Sequence, residues 1–308
     1  MTSQPPRPII GILLMTCAVT LFTTMAAFIK AADRVPAGEA MFFRSFFALF
    51  VVAAWLSVTG TLRDGIRTNA IRPHAVRGIV GSCAMGLGFA GLKYLPLPEV
   101  TAIRFVTPVL LVLFAAVLLG ERIRLIRISA VLVGLVGVVI ITTPRFSEGL
   151  GTWAAFGALL TLTSAGLAAL AQVFVKMMAS TERTAAIVFW FSVTSATLSL
   201  VTVPFGWVWP DLREAALLTG AGLIGGTGQM LLTSSYRFAD AGVLAPFTYI
   251  SMLWSIAIGY IWFAEVPTAT MLTGAGLIIL AGVVIVLRER QLGQGQTARR
   301  KVASKALQ

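Results

Sequence analysis

The chain repeats itself, and the repeat limits what it can fold into. Residues 92–121 read LKYLPLPEVTAIRFVTPVLLVLFAAVLLGE, and residues 236–265 read YRFADAGVLAPFTYISMLWSIAIGYIWFAE. Aligned on Glu121 and Glu265, the two blocks lie 144 residues apart. At that offset Gly78 falls on Gly222, Gly81 on Gly225, Tyr94 on Phe238 and Phe105 on Tyr249. The first and sixth apolar segments also end alike, in Phe28-Ile29-Lys30 and Phe174-Val175-Lys176, at an offset of 146. Each half must therefore support the same set of helices. Two related halves in an apolar chain are the ground plan of many secondary transporters.

Composition names the solvent. The chain is 57% hydrophobic and only 12% charged, with a mean hydropathy of +0.90. A soluble globule carries about 25% charged residues, so this chain cannot cover a water-soluble core. The bilayer is its medium, and length counts helices. Apolar runs predict helices near 9–29, 39–59, 76–94, 98–119, 125–142, 152–175, 184–204, 214–235, 241–263 and 268–287. The predicted fold is all-α and integral to the membrane, with ten transmembrane helices as two inverted five-helix repeats. The first repeat covers 9–142 and the second 152–287. A cytoplasmic N-terminus (1–8), an outer linker (143–151) and a basic cytoplasmic tail (288–308) complete it. The run Ile9–Ile29 is longer than the ~7–15 residues of a signal-peptide core, so it reads as a retained helix.

The net charge of +12 invites a nucleic-acid reading, but its placement argues against one. Lys and Arg concentrate in short segments between apolar runs and in the tail. With both termini cytoplasmic, seventeen fall on the inner side and five on the outer. That bias predicts N-in, C-in. Five helices per half is odd, so the halves insert upside down relative to each other. This is the geometry of a central site that opens alternately to either side.

Two arginines, Arg44 and Arg104, lie inside apolar runs that start at the outer face. A charge near the bilayer centre costs roughly 2.5–3.5 kcal/mol on insertion scales. Each has a glutamate five residues earlier, Glu39 and Glu99, a poor intrahelical spacing. An ion pair across helices, Arg44 with Glu99 or Arg104 with Glu39, is one reading. Snorkelling to headgroups is another. The third is that they face a cavity and hold a carboxylate, phosphate or acidic imide, which suits the arginine fork. Thr16, Thr20, Thr23 and Thr24 share one helical face, and Thr161, Ser164, Ala168 and Gln172 make a comparable one. Thr20, Thr24, Gln172 and Gln229 are candidate cavity residues, because amides are costly against hydrocarbon. Threonines equally bond the i−4 carbonyl of their own helix. Trp190 and Tyr249 are candidate ring contacts for a flat or apolar body. At offset 146 Trp190 falls on Arg44. Pro108 and Pro246 are candidate hinges. The glycines of the third and eighth helices predict close packing. Trp207, Trp209, Tyr260 and Trp262 fit an interfacial belt.

The remaining polar residues read as structural. Cys17 and Cys83 lie in apolar runs and are expected to pack; His74, the only histidine, falls in a basic loop, and Arg77 counts among the cytoplasmic-side cations. There is no Walker motif, metal-ligand spacing, Ser-His-Asp set or paired intramembrane carboxylate. The chain is expected not to be an enzyme, with no metal and no cofactor.

The blocks ending in Leu119-Gly120-Glu121 and Ala264-Glu265, the Lys30 ending and Arg44 resemble the drug/metabolite transporter superfamily, in its EamA-type ten-helix branch. The resemblance spans about 9–287. The second block carries Ala264 where Gly is usual, which a helix end is expected to tolerate. The stretch Gln229–Pro267 looks like bacterial members that move riboflavin, S-adenosylmethionine or amino acids and their derivatives. The resemblance implies a secondary transporter of a small organic metabolite in the cell inner membrane, working by alternating access. An acidic group would meet Arg44 and Arg104; a flat ring, as in riboflavin, would meet Trp190 and Tyr249. The alternative is a non-transporting scaffold or sensor subunit. Implied partners are a small-molecule substrate and the lipid bilayer, not nucleic acid, with a homodimer left open.

Overall fold

The computed structural model describes residues 8–61, 65–68, 70–119, 153–179, 181–239 and 247–280, with 244, 283, 284 and scattered residues of 132–143. The described structure is helical throughout, without strands. The elements are α1 (Pro8–Ala31), α2 (Ala37–Val58), α3 (Ile71–Tyr94), α4 (Leu97–Arg104) and α5 (Val106–Leu119) in the first half. The second half holds α6 (Trp153–Met178), α7 (Thr184–Leu200), α8 (Leu212–Phe238), α9 (Ile250–Phe263) and α10 (Ala269–Leu280). The described residues of 132–143 are helical, where the fifth run was predicted. Helices α1, α2, α3, α6 and α8 are each long and apolar enough to cross a membrane.

Two boundaries depart from expectation for identifiable reasons. The predicted helix 98–119 is broken at Phe105, giving α4 and α5. Pro108 has no N–H to offer the Arg104 carbonyl four residues back, and its ring crowds that carbonyl. Helix α3 begins at Ile71 rather than near 76. Pro73 sits in the first turn, where a missing N–H costs nothing. His74 therefore belongs to a membrane helix rather than a loop, and both it and Arg77 are buried. Hydropathy missed this because Arg72, His74 and Arg77 make the first turns read as a basic loop.

The packing obeys the repeat. Helix α1 lies on α8, and its counterpart α6 lies on α3; α2 lies on α8, and its counterpart α7 lies on α3. Helices α2 and α7 meet each other, as do α4 and α9. Exchanging the halves maps each contact onto another, so the fold has a pseudo-twofold axis. That axis enters between α2 and α7 and leaves between α4 and α9. Neither half packs alone. Glycines allow the approach: a Cβ on Gly226 of α8 would lie 2.8 Å from the Ala48 Cα of α2. A Cβ on Gly78 of α3 would lie 2.8 Å from the Thr194 side chain of α7.

One end of the bundle is tied by polar contacts between its loops. Lys30 donates to the Leu95 carbonyl at 2.8 Å, and Lys93 donates to the Ala32 and Asp33 carbonyls at 2.7 and 2.8 Å. Each lysine thus caps the C-terminus of the other's helix. Lys30 also pairs with Glu265 at 3.0 Å, and Glu265 accepts from the Leu97 N–H at 2.9 Å, at the start of α4. Helix α8 starts with a capping box, Asp211 accepting from Glu214 N–H and Glu214 from Asp211 N–H. At the opposite end Glu182 accepts from Thr68 Oγ1 at 2.9 Å and lies 3.5 Å from His74 Nε2. Arg237 donates to the Glu182 carbonyl at 2.6 Å.

The outward surface is apolar, with Leu13, Phe50, Val117, Leu159, Leu253 and Ile261 exposed, as a lipid-facing belt requires. Cys17 and Cys83 are exposed too. They do not pack in the core as expected; they lie on the outer surfaces of their helices.

Candidate functional site

Arg44 lies on α2 and is 2% exposed, too deep to snorkel. Its Nη2 points at the Gly225 carbonyl, 3.5 Å away, and Gly225 is the central residue of α8. The side chain therefore reaches mid-depth rather than the outer half of the membrane. It does not form the expected pair with Glu99, and Glu39, expected with Arg104, instead accepts from the Val208 N–H at 3.0 Å. Arg44 Cζ lies 5.2 Å from the centre of the Phe191 ring.

Arg77, in the second turn of α3, comes to the same ring. Its Cζ lies 3.6 Å from the Phe191 centre, and the residue is 4% exposed. Nε and Nη1 of both arginines are buried and find no acceptor among the described residues. Buried polar groups are nearly always hydrogen-bonded, so four orphaned guanidinium nitrogens at one spot call for an explanation. The four helices involved, α2, α3, α7 and α8, exchange in pairs under the pseudo-twofold.

The other end of the axis holds a second group. Phe105 and Tyr249, equivalent in the repeat, meet edge to face with centroids 5.2 Å apart. Both sit at non-helical turns, Phe105 between α4 and α5 and Tyr249 just before α9. The Tyr249 hydroxyl is buried and without a partner among the described residues. Arg104, ending α4, is exposed although α4 is packed against α1, α3, α6 and α9. Its Nη1 lies 3.8 Å from where a Gly88 Cβ would sit, with Ser164 of α6 beside it. The exposure therefore opens into a space between helices.

The remaining candidates scatter. The Trp190 indole donates to the Ile66 carbonyl at 3.1 Å and its ring faces His74 at 6.5 Å. It lies toward the Glu182 end, while its neighbour Phe191 faces the arginines. The Gln172 amide accepts from Tyr236 Oη at 3.4 Å, and Gln229 is 8% exposed. Thr20 and Thr24 bond back to the Thr16 and Thr20 carbonyls, both at 3.0 Å. Pro108 sits at the α4–α5 break; Pro246 lies outside the described residues. Sequence reasoning missed Arg77 and Phe191. The available signal was Gly81, one turn above Arg77, and an offset of 147 in place of 146, which sets Phe191 against Arg44.

The profile of the EamA-like transporter family matches residues 9–143 and again 155–288. The chain belongs to this family. It is a multi-pass membrane transporter of the drug/metabolite superfamily and not an enzyme. A pseudopaline exporter of Pseudomonas aeruginosa is 29% identical over 89% of this chain and 95% of the relative. A riboflavin transporter of Rhizobium johnstonii is 28% identical, covering 93% and 94%. An S-adenosylmethionine uptake transporter of Rickettsia bellii is 28% identical, covering 84% and 86%. A crystal structure sharing 22% identity superposes with a TM-score of 0.69 over 92% of this chain and 97% of the other, which shows that the two chains share a fold. These relatives include an exporter and an uptake transporter, so the family fixes transport and leaves cargo and direction open.

Proposed function

We propose that this EamA-family protein carries a small organic metabolite with an acidic group and a flat or apolar body across the bacterial inner membrane by alternating access. Both termini are cytoplasmic in this reading. The observation that carries it is Arg104, exposed between helices at a proline-induced break and next in sequence to Phe105 of the Phe105–Tyr249 pair. An exposed guanidinium surrounded by helices recognises an acidic oxygen, and the rings and the free Tyr249 hydroxyl suit a planar, partly polar body. Riboflavin and amino-acid derivatives, the cargo classes suggested by resemblance, fit this chemistry. S-adenosylmethionine fits less well, because its sulfonium adds positive charge to a cationic site. Breaks in the transmembrane helices at a repeat interface are where transporters of other folds place their sites.

The test is thermal stability of the detergent-purified protein against flavins, amino acids, nucleosides and S-adenosylmethionine, followed by uptake of any hit into proteoliposomes. A ligand at 100 times its Kd adds about 2.7 kcal/mol to the folded state. Arg104→Gln is expected to abolish both the shift and the uptake of an acidic hit. Uptake unchanged in Arg104→Gln would remove Arg104 from the site.

A further inference from the structure

We infer that Arg44 and Arg77 form one clamp for a doubly charged oxyanion of the transported solute. Phe191 sets the positions of both guanidiniums. This deepens the transport reading and rests on it.

The argument starts from what these arginines lack. A buried structural arginine ordinarily spends its five N–H groups on carbonyls and carboxylates. Among the described residues the one hydrogen-bond contact of the two guanidiniums is the 3.5 Å approach of Arg44 Nη2 to the Gly225 carbonyl. Nε and Nη1 of each remain unpartnered, and no carboxylate among the described residues forms an ion pair with either side chain. Breaking a buried pair leaves a costly lone charge; here two like charges are buried together without any pair. Their distances to the Phe191 centre, 5.2 and 3.6 Å, keep the two guanidiniums within the sum of those distances. Ring contacts hold the cations but offer no hydrogen-bond acceptor in the plane of the fork. A group that would satisfy both guanidiniums is anionic, has oxygens enough for two forks, and carries about two charges.

Position excludes the alternatives. The centre of α8 is at mid-depth, out of reach of a lipid headgroup. The clamp takes residues from α2, α3 and α7 against α8, two helices from each half. It therefore lies on the pseudo-twofold, where a solute must sit if rocking one half against the other is to expose it to either side. It is also asymmetric in chemistry: the repeat equivalent of Arg77 is Ala221. Small residues around it, Gly81 on α3 and Gly225 on α8, leave the backbones bare beside the guanidiniums.

The experiment uses the full-length purified protein in detergent at constant ionic strength. Melting temperature is measured with added succinate, inorganic phosphate, acetate or chloride. Succinate or phosphate is expected to raise it by about 5 °C near saturation, and acetate and chloride much less. A response to both, or to succinate alone, marks a carboxylate-bearing solute; a response to phosphate alone marks a phosphoryl group or the free ion. Arg44→Gln and Arg77→Gln are each expected to abolish the shift, and Arg77→Lys to keep only part of it. Arg77→Gln is also expected to melt no lower than wild type without ligand, because it removes an uncompensated buried charge. A merely structural arginine would destabilise the fold when removed. No response above chloride, a response that survives Arg77→Gln, or a lower ligand-free melting temperature in Arg77→Gln would each overturn the clamp. A metabolite hit that needs Arg104 but is indifferent to Arg44→Gln and Arg77→Gln would sink the clamp and leave the transport reading standing. A succinate or phosphate shift lost in Arg77→Gln, with no uptake of anything that binds, would do the reverse.

Discussion

Ala264 has a φ of 53°, in the left-handed region that L-residues with a Cβ avoid. It ends α9, and the Glu265 N–H behind it closes onto the Gly259 carbonyl at 2.9 Å. This is the position where helices favour glycine. The usual family residue here is glycine, so the alanine is accommodated at a conformational cost rather than freely. Ala264→Gly is expected to stabilise the protein by about 1 kcal/mol, read as a higher melting temperature with transport retained. The turn has a second job: it delivers Glu265 to Lys30 and to the first N–H of α4. At this scale the sequence marked the right residues, Lys30 and Glu265, as repeat landmarks. It could not pair them, because each is landmark to its own half and the bond runs between halves.

At the scale of the element, the break between α4 and α5 and the glycine seams decide what can move. Pro108→Ala restores a donor for the Arg104 carbonyl and lets one helix run through Phe105. The expected outcome is a higher melting temperature and a slower uptake rate, since the bent segment carries Arg104. Equal uptake would show that the bend is structural only. The seam between α2 and α8 makes a different demand. Gly226→Ala would put a Cβ 2.8 Å from backbone at Ala48, which cannot swing away as a flexible side chain could. A loss of about 1–3 kcal/mol is expected from this overpacking. Gly276→Ala on α10 is the control: nothing lies within 4 Å of its Cβ position. There alanine is expected to gain up to about 1 kcal/mol from helix propensity alone.

At the scale of the whole molecule, the two halves are interlocked rather than adjacent. Helices α3 and α7, one from each half, share a hydrogen bond between Ser82 Oγ and Ser195 Oγ at 2.5 Å. If alternating access rocks the halves against each other, that contact must change in each cycle. A Ser82→Cys, Ser195→Cys double variant, made without Cys17 and Cys83, is expected to lose transport on oxidation and regain it on reduction. Transport that continues with the crosslink formed would place the moving seam elsewhere. The interlocking also explains why hydropathy could find the helices yet not the site. Arg44 and Arg77 meet at Phe191, and Phe105 meets Tyr249, each ring contact joining one half to the other.

The solvent, the family, the helical architecture and the doubled plan were all legible in the residues alone. These follow from apolar run length and from residue identity at a fixed offset, both one-dimensional quantities. The sequence also marked Arg44, Arg104, Phe105 and Tyr249 as residues of interest, because a cation or an equivalent ring inside an apolar run is visible without coordinates. Which of them meet depended on how the helices pack. Adjacent residues on a helix point about 100° apart. A shift of one residue in the repeat register therefore exchanges Trp190, which bonds Ile66, for Phe191, which faces Arg44. Arg77 was hidden for a related reason: a cation near a helix start reads as loop until packing buries it. Depth along the chain is written in the sequence; direction around a helix is settled by what the helix packs against.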